Sequence, residues 1–309
     1  MHIKNKKIQG IIETLSQFLH GKEQALRLSL ITFFSNGHLL IEDMPGLGKT
    51  TLAIGIARIM GLSFGRIQAT SDLLPTDITG VSIYNKELQK FEFHPGPIFN
   101  NIVLVDEINR ATPKTQSALL EAMGEKQVTV EGETYKLPKP FFVIATQNPV
   151  EQFGTFPLPE SQMDRFMMKI SIGYPSREAE REILKGGSKR EELYRINPIL
   201  DKDEVLKIQE DIEQVYLSDK IIEYILDIVE ATRNSKYFAT GLSIRGTLTL
   251  AKTARANAYF KGRDYVIPED IKELLPYTIP HRVILHEIYQ NTDSKELILS
   301  VVEKIPVPT

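Results

Sequence analysis

Apolar positions along this chain change their spacing twice. Near the start, Ile8, Ile11, Ile12, Leu15, Phe18 and Leu19 recur every three or four residues, with Glu13 and Gln17 opposite. That spacing predicts an amphipathic helix within residues 1–20. Short solid apolar runs follow at 39–41, 64–69, 101–107, 141–146 and 167–172. Solid runs suit strands covered on both faces, as in a parallel sheet. Helical spacing lies between them: Leu52, Ile56 and Ile59 after Lys49, closed by Gly61, then Ala118, Leu119, Leu120 and Met123 after about Pro113. Strands alternating with helices predict a parallel α/β sheet over residues 21–173. Residues 73–78 read as a short irregular helix or turn. Alternating stretches at 81–93 and 127–137 predict two β-hairpins, turning at Asn85-Lys86-Glu87 and Glu131-Gly132. From Pro175 onward the spacing is helical throughout, over 178–185, 203–215, 219–233, 244–260 and 268–275. Ser218 suits an N-cap and Pro268 a first helical turn. Residues 174–309 are therefore expected to form a second, helical domain.

Composition narrows the class. The 309 residues allow about two domains. A net charge of −3 argues against a protein built to coat nucleic acid. There is no cysteine, which excludes disulfides and thiolate chemistry and fits a reducing cytoplasm. The start Met1-His2-Ile3-Lys4 is basic, but no uninterrupted apolar core follows, so neither a signal peptide nor a membrane span is expected. The six histidines show no ligand spacing on a common helix face, and His38, His281 and His286 are read as packing or surface residues.

The candidate chemistry centres on Pro45-Gly46-Leu47-Gly48-Lys49-Thr50-Thr51, between the strand at 39–41 and the helix that follows. In a phosphate-binding loop, small residues let backbone amides converge on phosphate. A lysine reaches the β- and γ-phosphates, and the next hydroxyl holds Mg²⁺. The helix N-terminus adds a fixed positive end. The full pattern asks for Gly at position 43, where this chain has Asp43. Asp106 and Glu107 end the strand at 101–107, and ligands bind at the carboxyl ends of strands in open α/β sheets. Asp106 is placed to hold Mg²⁺, directly or through water, and Glu107 to polarise a water against the γ-phosphate. A solvated acidic turn would leave the same two residues. Asn148 ends the next strand, where an amide could orient the attacking water. An Asn-Pro turn predicts the same residues.

Together with Val105-Asp106-Glu107-Ile108-Asn109-Arg110, Ala145-Thr146-Gln147-Asn148-Pro149, Asp164-Arg165-Phe166 and Gly241-Leu242-Ser243-Ile244-Arg245, the loop resembles that of an AAA+ ATPase. The match is closer to the MoxR family, through Glu42-Asp43 before the loop, Glu121-Ala122-Met123, residues 154–160 and residues 262–270. The resemblance implies a P-loop AAA+ core of five parallel strands with hairpin insertions, followed by an all-α lid. It implies that ATP and Mg²⁺ are bound, with Lys49 and Thr50 as the Walker A pair and Asp106 and Glu107 as Walker B. Asn148 corresponds to sensor 1, Arg245 to sensor 2 in the lid, and Gly21-Lys22 to the segment near the adenine. Arg165 corresponds to an arginine finger acting on a neighbour's nucleotide. Arg110 competes for that role, and a salt bridge from Arg165 to Asp164 or Glu160 is the structural alternative. The family further implies a homo-oligomer, commonly a hexameric ring. Its work would be chaperone-like, on partner proteins such as those with von Willebrand factor A domains. Two other readings fit the same frame: a DNA-dependent motor, and a nucleotide-gated switch with little turnover. The hairpin tips are not basic overall, which counts against the first. Glu107 and Arg165 are present, which counts against the second.

Overall fold

The computed structural model describes residues 4–150, 154–187 and 190–308. Residues 1–3, at the head of the N-terminal segment, lie outside them. The chain runs α1 (Lys6–Ser16), α2 (Glu23–Phe34), β1 (Leu39–Glu42), α3 (Lys49–Ile59), β2 (Phe64–Gln68), α4 (Pro75–Thr79), β3 (Gly80–Asn85), β4 (Lys90–Pro95) and β5 (Ile102–Asp106). Then come α5 (Pro113–Glu125), β6 (Gln127–Val130), β7 (Glu133–Lys136), β8 (Phe142–Gln147), α6 (Glu160–Met163) and β9 (Met168–Ile170). The second half holds α7 (Arg177–Gly186), α8 (Arg190–Leu193), α9 (Lys202–Glu213), α10 (Asp219–Arg233), β10 (Phe238–Thr240) and α11 (Ile244–Phe260). It closes with α12 (Pro268–Lys272), α13 (Leu275–Thr278), β11 (Ile284–Leu285) and α14 (Ser294–Val302).

Five strands form one parallel sheet in the order β2-β5-β8-β1-β9. Their solid apolar runs have a direct cause. Ile102, Leu104, Phe142 and Ile144 face the core made with α1, α2 and α3, while Val103, Val105 and Val143 face α5 through Leu119, Leu120 and Met123. Both faces are dry, so both phases of the strand must be apolar. Truncating Leu104 to alanine should cost about 2–5 kcal/mol.

Helix α2 was not legible in the spacing. Its apolar residues occur on all sides, and Leu26, Leu28, Leu30, Ile31, Phe33 and Phe34 are all buried. A helix buried all round has no polar stripe to reveal its period. It is enclosed because the sheet core continues through α2 into Val205, Ile208 and Ile212 of α9 and Phe260 of α11. Buried Arg27 reinforces this junction by donating to Asn257 Oδ1 and, at 2.9 Å, to Glu273 Oε2. Helix α1 joins the same core through Ile8, Ile11, Ile12 and Leu15, so it is not a separate layer.

The C-terminal helices have a second core of their own around Tyr224, Ile228, Leu250 and Ile298. The expectation of an all-α lid needs one correction: β10 and β11 add a small antiparallel pair. These strands have three and two residues, too short to show alternation. The predicted helix at 268–275 ends early at Lys272, and α13 starts anew with Pro276 in its first turn. Both hairpins form, β3–β4 and β6–β7, and they stack on each other through Phe93 and Tyr135, whose rings lie 4.1 Å apart. Among the described residues, no helix is long and apolar enough to cross a membrane.

Candidate active site

The loop between β1 and α3 lies at the carboxyl end of the sheet. Gly46 and Gly48 have φ of +84° and +93°, which residues with a Cβ rarely adopt. A Cβ on Gly48 would also come within 2.9 Å of Leu19. Gly48 caps α3, leaving the amides of its first turn without helical partners and aimed outward. They border a cavity of about 360 Å³ lined by Pro45, Gly46, Gly48, Lys49, Thr50 and Thr51. Asp106, Glu107 and Asn148 line the same cavity from the ends of β5 and β8. The sequence reading missed three further lining residues, Arg66 and Gln68 on β2 and Thr146 on β8. Register could have found one of them, since Gln68 pairs directly with Asp106 in the parallel ladder.

The two carboxylates are held differently. Asp106 is buried, and Arg66 Nε donates to its Oδ2 at 2.8 Å. Glu107 takes the left-handed conformation at φ 57°, which costs an ordinary residue on the order of 1 kcal/mol. Its amide donates to Thr146 Oγ1 at 3.0 Å, and that hydroxyl faces Asp106 Oδ1 at 3.4 Å. One threonine thus orients both acids. The Glu107 carboxylate accepts from Gln68 Nε2 and Arg110 Nη1, each at 3.1 Å. Lys49 Nζ donates to the Asp43 carbonyl at 2.7 Å. Burial lowers the Lys49 ammonium below its ordinary value, while Asp43, Asp106 and Glu107 oppose that shift. Asn148 both lines the cavity and makes the turn, its Oδ1 accepting from Val150 N at 3.2 Å.

Thr50 and Asp106 suit Mg²⁺ carried in by phosphates. Such an ion keeps several waters and takes only one or two protein ligands. Among the described residues, no three acidic or histidine side chains converge into a protein-only metal cage.

A second lobe of about 240 Å³ shares Gly46, Gly48 and Thr51 with the first. Phe18, Leu19, Leu47, Pro175 and Ile183 give it apolar walls, and Lys22 stands at its side. One polar lobe and one apolar lobe across a glycine loop match the two halves of a nucleotide. Gly21 lines neither lobe. It has φ +70°, and a Cβ there would sit 3.6 Å from Ala179, so it serves the turn beneath α7.

Arg165 and Arg245 are not brought to this cavity. Arg165 lies at the amino end of β9, and the cavity lies at the carboxyl ends of the strands, a separation on the order of 10 Å along the strand. Its Nη1 donates to Leu120 O at 2.9 Å, and it packs over Gly124. Asp164 next to it is gripped by the lid instead. It accepts from Ser243 Oγ at 3.0 Å and pairs with Arg282 Nε at 3.0 Å and Arg245 Nη1 at 3.5 Å. Buried Arg282 also donates to Phe166 O at 2.7 Å and Thr278 O at 3.0 Å. The lid thus holds Arg245 on Asp164, the residue before Arg165, and neither arginine lines the phosphate-loop cavity. His38 and His281 are packing residues: His38 accepts from Val143 N at 3.0 Å, and His281 Nε2 meets Phe166 O at 2.9 Å.

Residues 38–168 match the model of the ATPase family associated with various cellular activities, and residues 230–300 match the AAA lid domain. YeaC of Bacillus subtilis (strain 168) is 46% identical over 96% of this chain and 93% of its own length. Chaperone MoxR1 of Mycobacterium tuberculosis is 38% identical over 97% of this chain and 82% of its own. A crystal structure of a Cytophaga hutchinsonii protein superposes with a TM-score of 0.91 at 41% identity, covering 98% of this chain and 95% of that one. With the phosphate loop, the paired acids and the lid in place, the chain belongs to the MoxR family of AAA+ ATPases.

Proposed function

We propose that this chain hydrolyses ATP within a homo-oligomeric, hexameric ring and uses the turnover to remodel partner proteins in the cytoplasm. The observation that carries the reading is the two-lobed cavity, with Lys49 and the α3 amides on one wall and Glu107 on the other. The adenine and ribose occupy the apolar lobe. The phosphates lie on the amides around Gly46 and Gly48 and draw Lys49 from the Asp43 carbonyl. Thr50 and Asp106 would hold Mg²⁺, which would supply charge neutralisation to the phosphates when bound. Glu107, released by Gln68 and Arg110, polarises the attacking water, and Asn148 orients it. Arg165, with Arg245 held on the preceding Asp164, serves the nucleotide of the adjacent subunit.

The name of the Mycobacterium tuberculosis relative supports a chaperone-like role, and proteins with von Willebrand factor A domains are the first partners to try. The test is ATP turnover with direct measurement of nucleotide affinity. Lys49→Ala should abolish tight ATP binding, and unchanged affinity would sink the phosphate-loop assignment. DNA should leave the rate unchanged, whereas a several-fold stimulation at moderate salt would favour the DNA motor.

A further inference from the structure

Asp43 stands where the full phosphate-loop pattern has glycine, and its surroundings give the carboxylate a task. It directly follows β1 and is buried. Its Oδ1 accepts from Ser171 Oγ at 2.7 Å and from Gly173 N at 3.3 Å. Its Oδ2 accepts from Ile172 N by a short hydrogen bond. The ladder between β1 and β9 ends at the Ile41–Ile170 pair, and the Asp43 side chain captures the next amides of the departing chain. Hydrogen bonds to an ionised acceptor are roughly twice as strong as neutral ones.

The captured segment is the only covalent path from β9 to α7. Gly173 turns it at φ +69°, and its carbonyl accepts from buried Lys22 Nζ at 2.7 Å. Two residues later Pro175 lines the apolar lobe, as do Glu182 and Ile183 of α7. On the other side, the Asp43 carbonyl is the acceptor that holds Lys49. A single residue therefore touches the phosphate lysine through its main chain and, through its side chain, the 171–173 segment that leads into the wall of the apolar lobe. A glycine at this position could make only the first contact.

We propose that Asp43 is a positioning residue that locks the phosphate loop to the 171–173 segment, so that phosphate occupancy sets the placement of Pro175 and α7. The proposal rests on the nucleotide-binding reading above. Occupancy removes Lys49 from the Asp43 carbonyl, and the resulting shift at residue 43 is passed to the amides of Ile172 and Gly173.

Inorganic tripolyphosphate separates the two lobes, because it has no base with which to touch α7. In the full chain, tripolyphosphate should slow hydrogen exchange across residues 171–187 about tenfold, the scale of one net hydrogen bond. Asp43→Gly restores the glycine of the full pattern and leaves Lys49 and Thr50 in place. It should still bind tripolyphosphate, exchange the Ile172 and Gly173 amides about tenfold faster when free, and lose the ligand response in 171–187. Ser171→Ala removes a single donor to the Asp43 carboxylate from outside the loop and should lose part of the response, which keeps the test open if Asp43→Gly folds poorly. If the wild type binds tripolyphosphate with no change in 171–187, or a folded Asp43→Gly responds like the wild type, the lock is overturned and the ATPase reading stands. If the wild type binds neither ATP nor tripolyphosphate, the ATPase reading falls and takes the lock with it.

Discussion

Lys49, Thr50, Asp106, Glu107 and Asn148 reach one cavity from a helix start and two strand ends. Arg165 and Arg245 gather at the amino end of the edge strand, around Asp164. In the proposed function the first region binds the triphosphate and polarises water, and these two arginines do not line it. The second has cations held in place by the lid and no phosphate loop of its own. Under the proposed function this separation is met by a second copy of the chain, and it gives the lid a purpose. Ser243, Arg245 and Arg282 fix the arginine edge on the core that carries it.

Breaking the arginine edge should have the largest effect. Arg165→Ala should lower turnover by about 10³–10⁵ with ATP affinity nearly unchanged, because a guanidinium acts on charge that develops in the transition state. A matching loss of affinity in titrations would move Arg165 into its own subunit's pocket. The complementary change in the cavity, Glu107→Gln, should cost about 10²–10⁴ in rate and leave the protein loaded with ATP, since an amide is a poor base. Wild-type hydrolysis by that variant would pass the role to Asn148. Arg282→Met should cost about 3–5 kcal/mol in denaturant unfolding, because it removes the buried cation paired with Asp164 and leaves several carbonyls without their donor. Its ATP affinity should hold, sharpening the contrast between the two regions.

A smaller effect comes from pH. Burial pushes the His38 imidazole down to about 4 from its ordinary 6.5, so it folds neutral. Between those values the unfolded chain takes up a proton that the folded chain refuses. Stability is therefore full above about 6.5 and falls as pH drops toward 4, by at most about 3 kcal/mol from this residue. His281 is shifted the same way by burial and by Arg282. Unfolding midpoints from pH 7 to 5 should fall, and His38→Gln should flatten that slope. An unchanged slope would mean that His38 is not the group responsible.

Much of this was legible in the sequence for identifiable reasons. The strands at 101–107 and 141–146 announced themselves because both faces of the sheet are buried, and Ser218 marked the start of α10 as an N-cap. That Lys49 and Thr50 would share a cavity with Asp106 and Glu107 could be read because phosphate chemistry demands particular residues close together in sequence. Helix α2 could not, since burial on all sides erases its period. The position of Arg245 could not either. Its motif names a lid arginine, but which end of the sheet the lid delivers it to depends on contacts from residues 79 and 118 positions away, Ser243 with Asp164 and Arg282 with Asp164. Arg66 was missed because it pairs with Asp106 across strands, with no local signature.

The division of chemistry between subunits is tested most directly by mixing two inactive variants. An interface that joins an Arg165→Ala site to a Glu107→Gln neighbour has its own Glu107 and the neighbour's Arg165 intact. Co-assembled mixtures should regain part of the ATPase activity that neither variant has alone. No recovery, in mixtures shown by sizing to co-assemble, would contradict the account. Arg165 would then act within its own chain or serve structure only, and Arg110 would become the finger to test.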